Sequence, residues 1–216
     1  MNNCAAFILA TLCVATLSGC KVIPTAEKHR QTSLNSADAP DKNFDSKVAE
    51  LWPAKLLPYA QSKAGKLQDV QAAIGVNADE AGKKYGYREK QGSGTWTVLA
   101  LVEGKIVAAN IESRAATIDV DVDGDGIADA TVQIGPVLRG TSIRDSLDFV
   151  NFNDFTNQID FAQFGKAFNT YAIENVLKPF PREKPVGKTV TVLGAYQIPQ
   201  TGQLPLVTPI KIEAKP

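Results

Sequence analysis

The chain has 216 residues, 44% hydrophobic and 21% charged, with Lys plus Arg balancing Asp plus Glu at 23 each. That composition fits one ordinary globular core of single-domain size. With no basic excess and no polybasic run, the sequence argues against nucleic acid as a partner and against electrostatic attachment to anionic lipid.

An uncharged apolar run from Ala5 to Leu17 ends in Leu17-Ser18-Gly19-Cys20. The run is too short for the roughly 20 residues of a spanning helix and suits the h-region of a signal peptide. Small Ser18 and Gly19 fit a peptidase pocket, and Cys20 offers the thiol that bacterial lipoprotein processing acylates, with palmitate among the expected chains. Met1-Asn2-Asn3 carries no Lys or Arg, so the α-amino group supplies the positive charge of the n-region. Residues 1–19 are therefore expected to be a lipoprotein signal peptide, and Cys20 the lipid anchor to the membrane. Cleavage there removes Cys4 and Cys13 and leaves no thiol pair for an internal disulfide, so stability must come from packing. Lys21, rather than Asp, follows the anchor, which favours the outer membrane in a Gram-negative cell.

Residues 20–42 read as a tether, polar and interrupted by Pro24 and Pro40. A single α+β domain is expected over 43–216, with a helical layer at 43–90 and a barrel-like part at 91–216. In the first part Val48, Leu51, Leu56, Leu57, Leu67, Val70, Ala73 and Ile74 recur at helical spacing, with Pro53 and Pro58 expected to break the pattern into pieces. Asn77 with Glu80 resembles a capping box opening a short helix that ends near Gly86.

After Gly94 the period becomes two. Trp96 to Val102 and Lys105 to Ile111 read as strands joined by a turn at Glu103-Gly104, followed by strands at Thr117 to Val122 and Ala130 to Ile134. One long helix spans about Asn157 to Leu177, with Ile159, Phe161, Phe164, Phe168, Tyr171, Ala172 and Val176 as its apolar stripe. Strands at Thr189 to Ile198 and Leu206 to Ile212 close the chain. This order predicts a small antiparallel β-barrel like that of oligonucleotide/oligosaccharide-binding (OB) folds, carrying one long helix and the N-terminal helical layer.

Two polar constellations stand out. Asp121, Asp123, Asp125 and Asp129, with Gly126 at the sixth position, match the opening of a calcium loop, in which hard oxygens surround a hard cation. Position twelve is Val132 instead of the bidentate Glu, and the same residues equally suit a polar hairpin turn. Calcium and turn chemistry both stand as readings. The second constellation comprises Arg139, Arg144, Asp145, Asp154, Asn157 and Gln158, interleaved with Phe152 and Phe155. Amides and carboxylates bond hydroxyls while rings stack on apolar faces, so these are candidate ligand-binding residues. Capping by Thr141 and Asp154, with Asn157 and Gln158 serving the loop backbone, explains the same residues without a ligand.

The sole histidine, His29, lies in the tether, which removes a Ser/His/Asp triad, a Cys/His dyad and a histidine-bound zinc from the core. Gly187-Lys188-Thr189 imitates the end of a P-loop, but Arg182 stands where the upstream Gly is required. Asp145 and Asp154 are the pair available to a carboxylate-based glycan-acting enzyme. The expectation is no catalysis.

Ile111-Glu112-Ser113-Arg114, the Asp119 to Asp129 turn, Gln133 to Thr141 and Phe152 to Gln158 resemble a bacterial family of predicted periplasmic lipoproteins of unknown function. Val186 to Thr189 and Pro205 to Pro209 extend the resemblance over nearly all of the mature chain. It implies a periplasmic lipoprotein often encoded beside sugar ABC-transporter components, and it supplies no catalytic residue. The resulting expectation is a lipid-anchored periplasmic binding or accessory protein, possible partners being transporter components, with a glycan-acting enzyme or a structural envelope lipoprotein as alternatives.

Overall fold

The computed structural model describes residues 43–89 and 94–215, so the signal segment, Cys20 and the tether lie outside the described residues. Asn43 opens the first helix by accepting the Ser46 N–H on its side-chain oxygen at 3.0 Å. Helix α1 (Phe44–Leu51) continues into a π-helical segment, Trp52–Leu56, and then into α2 (Leu57–Lys63). Pro53 and Pro58 do not break this run as expected. Each sits in the first turn of its segment, where a missing N–H is tolerated, and the Leu57 N–H reaches back to the Trp52 carbonyl in π-type pairing.

A two-residue strand β1 (Gly65–Lys66) leads to α3 (Leu67–Val76) and α4 (Ala78–Tyr85), then to β2 (Gly86–Tyr87). Asn77 caps α4 by accepting the N–H groups of Asp79 and Glu80 at 3.0 and 3.1 Å. Glu80 turns to Lys83 at 2.7 Å, so the reciprocal half of the expected capping box is replaced by an exposed ion pair.

The barrel consists of β3 (Thr97–Asn110), β4 (Thr117–Asp121), β5 (Ala130–Gln133), β6 (Thr189–Gln197) and β7 (Leu206–Lys215), neighbours in the order β3-β4-β5-β7-β6 and closed by β3 on β6. The β5–β7 pairing, Thr131 with Leu206 and Val132 with Val207, is parallel; the other barrel pairings are antiparallel. Helices α5 (Ser142–Asp145) and α6 (Gln158–Tyr171), with a π-helical extension Ala172–Leu177, fill the connection from β5 to β6.

The expected turn at Glu103-Gly104 is absent: β3 is one continuous strand. It pairs with β6 from Thr97 to Lys105 and with β4 from Lys105 to Asn110, bending at a bulge between Ile106 and Ala108. Glycine at 104 serves close approach, since a Cβ there would collide with the Asp121 carbonyl oxygen of β4.

Alternation along these strands divides the core into two layers. Val98, Ala100, Val102, Ile118, Val132, Val192 and Val207 fill the barrel, with Leu67 and Val70 of α3 packed among them. Leu99, Leu193, Ala195 and Ile210 point outward and meet Val48, Trp52 and Leu56 of the N-terminal layer and Phe164 and Phe168 of α6. Burying each Val, Leu, Ile or Phe side chain among these contributes roughly 1.5–3 kcal/mol. The outer layer continues as ring contacts, Trp52 on Tyr171 at 4.6 Å, Phe164 on Phe168 at 5.0 Å and Phe155 on Phe161 at 5.2 Å.

Candidate functional site

Between α5 and α6, Arg144 acts as a hub. Its Nη1 donates to the Phe161 carbonyl at 2.9 Å, its Nε and Nη2 donate to one Asp145 oxygen at 2.8 and 2.6 Å, and its guanidinium lies 3.7 Å from the Phe161 ring centre. Thr141 donates to the other Asp145 oxygen at 2.6 Å. The arginine fits because α6 carries Gly165 where a Cβ would come within 2.9 Å of Nη1.

Beside this hub opens a cleft of about 540 Å³, lined from β2, the start of β3, the end of β6, α5 and the loop before α6. Tyr87, Val150, Phe152 and Phe161 supply its apolar wall; Glu89, Thr95, Gln158 and Gln197 bring polar groups. The Tyr87 hydroxyl donates to the Asn151 side-chain oxygen at 3.2 Å. Burial, reinforced by the Glu89 and Asp148 charges, pushes the Tyr87 phenol above its ordinary pKa and keeps it neutral.

Of the six candidate ligand-binding residues, the fold brings Arg144, Asp145 and Gln158 to this cleft and leaves Arg139, Asp154 and Asn157 outside its lining. Arg139 is exposed, and its backbone N–H donates to Gln133 at 2.7 Å. Asp154 is exposed in a 3₁₀ turn, Phe152–Asp154, where its carboxylate accepts the Asn151 N–H at 3.2 Å. Asn157 caps α6 by accepting the Asp160 N–H at 2.9 Å. Thr141 precedes α5 without a capping bond and uses its hydroxyl on Asp145 instead.

Tyr87, Glu89, Thr95 and Gln197 complete the cleft and were not anticipated. Gln133 was also missed: buried at the end of β5, its amide donates to the Arg139 carbonyl and to the Thr208 hydroxyl at 3.2 and 2.8 Å, tying the barrel to the loop before α5.

In the Asp-rich turn, Asp121, Asp123 and Asp129 each place a carboxylate oxygen within 4.8 Å of the others, and Asp125 stands outside the group. These three are the residues able to offer oxygens to a cation. Backbone groups already occupy several of those oxygens: Gly124 and Gly126 donate to the two oxygens of Asp121 at 2.7 and 2.9 Å, and Val122 donates to Asp129 at 2.7 Å. Gly124 and Gly126, with φ of +85° and +88°, permit the turn. Burial pushes the Asp121 carboxyl up, but the donated N–H groups outweigh it and hold the pKa below the ordinary value.

A closed β-barrel of OB type, an attached helical layer and a cleft beside the β5–β6 helices define the class of this protein. The family model described as "Predicted periplasmic lipoprotein (DUF2291)" matches residues 10–213, and the chain belongs to that family. An OB-fold protein from Thermotoga maritima is similar in structure, with a TM-score of 0.60 at 15% identity, covering 82% of this chain and all (100%) of its own. An OBody in complex with hen egg-white lysozyme matches at a TM-score of 0.29 and 12% identity, over 55% of this chain and 96% of its own. No curated protein matches the chain. Among the described residues, no helix is long and apolar enough to cross a membrane.

Proposed function

We propose that this periplasmic lipoprotein is a non-catalytic binding or accessory module, anchored through lipid on Cys20, that holds a small polar ligand in the cleft beside Phe152. The observation that carries the reading is the combination in one cleft of an aromatic wall with the side chains of Gln158, Gln197 and Thr95. A glycan-acting enzyme is the weaker reading. Asp145 accepts hydrogen bonds from Arg144 and Thr141, and its partner Asp154 lies outside the cleft lining. The outer membrane is the proposed site of anchoring, on the strength of Lys21, and sugar ABC-transporter components are the proposed partners.

Thermal-shift screening of polar metabolites against the wild type and Phe152→Ala tests the binding role. A compound that stabilises the wild type and loses its effect in the variant supports the cleft; the absence of any such compound overturns it. Crosslinking in membranes, followed by purification of the anchored protein, tests the partners: transporter subunits in the purified complex support the link, and their absence removes it.

A further inference from the structure

We infer that the outward face of α6 lies against the bilayer that holds the acyl chains of Cys20, so that the protein sits on its membrane in one orientation. The inference rests on the reading of Cys20 as the lipid anchor and is independent of what the cleft binds.

The inner side of α6 is core: Phe164, Ala167 and Phe168 are buried against the N-terminal layer and the barrel. Its exposed residues are Gln158, Ile159, Ala162, Gln163 and Lys166. At spacings of three and four these share one side of the helix, where they border a single shallow depression. That side carries one charge, Lys166, at its far end. The only carboxylate of α6, Asp160, is buried, whereas Ile159 is 68% exposed. The other surface helices differ. Helix α1 exposes Asp45, Lys47 and Glu50, and α4 exposes Asp79, Glu80, Lys83 and Lys84, the charged faces that water-facing helices normally show. The outer face of α6 is thus apolar and amide-bearing where a charged one is expected.

The place where the anchored segment joins the domain selects the occupant. The described chain begins at Asn43, and the Phe44 ring lies 6.2 Å from Phe155, just before α6, and 5.5 Å from Phe164 in its second turn. The segment from Cys20 therefore enters the domain beside the same two turns that carry Ile159, Ala162 and Gln163. However they are arranged, residues 21–42 span at most about 80 Å, so the domain stays within reach of the bilayer. Tethering makes contact between this face and lipid an intramolecular event, and a small apolar surface then suffices to orient the domain. Ile159 and Ala162 supply apolar contact at the depth of the headgroup boundary, and Lys166 can lay its stem along the helix with its ammonium among the phosphates.

Nitroxide labelling of the acylated full-length mature protein in phosphatidylethanolamine/phosphatidylglycerol vesicles tests the orientation. With Cys4 and Cys13 removed by cleavage and Cys20 acylated, one introduced cysteine is the only free thiol. Labels at Gln163→Cys on α6 and Ala72→Cys on α3, both exposed positions, are compared by collision with oxygen, which enters lipid, and with a water-soluble nickel chelate. The Gln163 label should gain oxygen collisions and lose nickel collisions relative to the Ala72 label. Adding Ile159→Asp should return the Gln163 label to water while the Tm stays unchanged and the acyl chains still hold the protein on the vesicle. Intact mass reads the anchor separately: an unmodified Cys20 overturns the anchor and this orientation with it. An acylated chain whose Gln163 label meets nickel as freely as the Ala72 label overturns the orientation alone. So does a Gln163 label that Ile159→Asp leaves in lipid. Shielding from both quenchers, with spin–spin broadening that disappears on dilution in the membrane, assigns the face to a second copy of the chain and likewise overturns the inference.

Discussion

Arg144 closes onto its own neighbour: its Nε and Nη2 meet a single oxygen of Asp145 at 2.8 and 2.6 Å, a bond between consecutive residues that fixes both side chains. The contact leaves Nη1 to cross to the Phe161 carbonyl, 17 residues on, so this one side chain staples α5 to α6. Its role is structural first, and the cleft inherits its shape from it.

Removing the guanidinium would leave Asp145 as a partly buried charge without its cation. Because the Asp145 side chain keeps 24% exposure, the cost of Arg144→Ala should fall near the lower end for such pairs, about 2–3 kcal/mol. Gly165→Ala should also destabilise, by about 1–3 kcal/mol, because the new Cβ would come within 2.9 Å of both Arg144 Nη1, itself held by the Phe161 carbonyl, and Thr141 Cγ2. Urea denaturation measures both. An Arg144→Ala variant as stable as the wild type would deny the staple.

The lipid anchor carries its own prediction. Cys20→Ser removes the thiol that processing requires, so the variant should accumulate as uncleaved precursor or leave the membrane fraction. Metabolic labelling with an alkyne-bearing palmitate analogue reads the modification directly. Unchanged processing and unchanged membrane fractionation would place the attachment elsewhere.

How far the fold was legible depends on the distance over which each residue acts. Alternation at Ile118, Val120 and Val132 reports the barrel interior faithfully because burial of every second residue is a local consequence of the strand. The Gly104 position misled for a related reason: glycine after Glu103 is good hairpin chemistry, and only the approach of Asp121 from another strand reveals why a turn is not made there. Ile159 fits the helical stripe by spacing yet is 68% exposed, while its neighbour Asp160 is the buried residue of that first turn of α6. The closure of Thr97 on Gln197 joins residues a hundred positions apart and has no local signal. The cleft depends on that closure, so Tyr87 and Gln197 stayed invisible while Arg144, Asp145 and Gln158, close together in the sequence, were found. Asn157 was ambiguous in sequence because the amide that would bind a ligand is the amide that caps a helix; its geometry here is that of a cap.

Acid should expose the role of the Asp-rich turn. Burial raises the Asp121 carboxyl, the N–H groups of Gly124 and Gly126 lower it further, and the folded pKa therefore lies below that of the unfolded chain. A carboxylate depressed in this way contributes stability above its unfolded value of about 4, and the contribution is lost as pH falls through the folded pKa. Asp121→Asn keeps one acceptor oxygen and loses the charge. Its destabilisation relative to wild type should be largest near neutrality and shrink below about pH 4. A stability difference that stays constant from neutral to acid pH would show that the charge of Asp121 is immaterial.

Calcium provides the last test of the same turn. A calcium site needs about six to eight oxygens, and this loop gathers Asp121, Asp123 and Asp129 while Asp125 stays apart and Val132, wholly buried in the barrel, replaces the bidentate ligand. Both Asp121 oxygens and one of Asp129 already accept backbone N–H groups that hold the turn in shape. The expected result is therefore the same melting curve in chelator and in several millimolar calcium, with Asp123→Asn equally indifferent to the metal. A bound ion would act by linkage, adding roughly 2.7 kcal/mol when calcium stands at about 100 times its dissociation constant. A calcium-dependent rise in Tm that Asp123→Asn abolishes would reassign these carboxylates from turn chemistry to metal ligation.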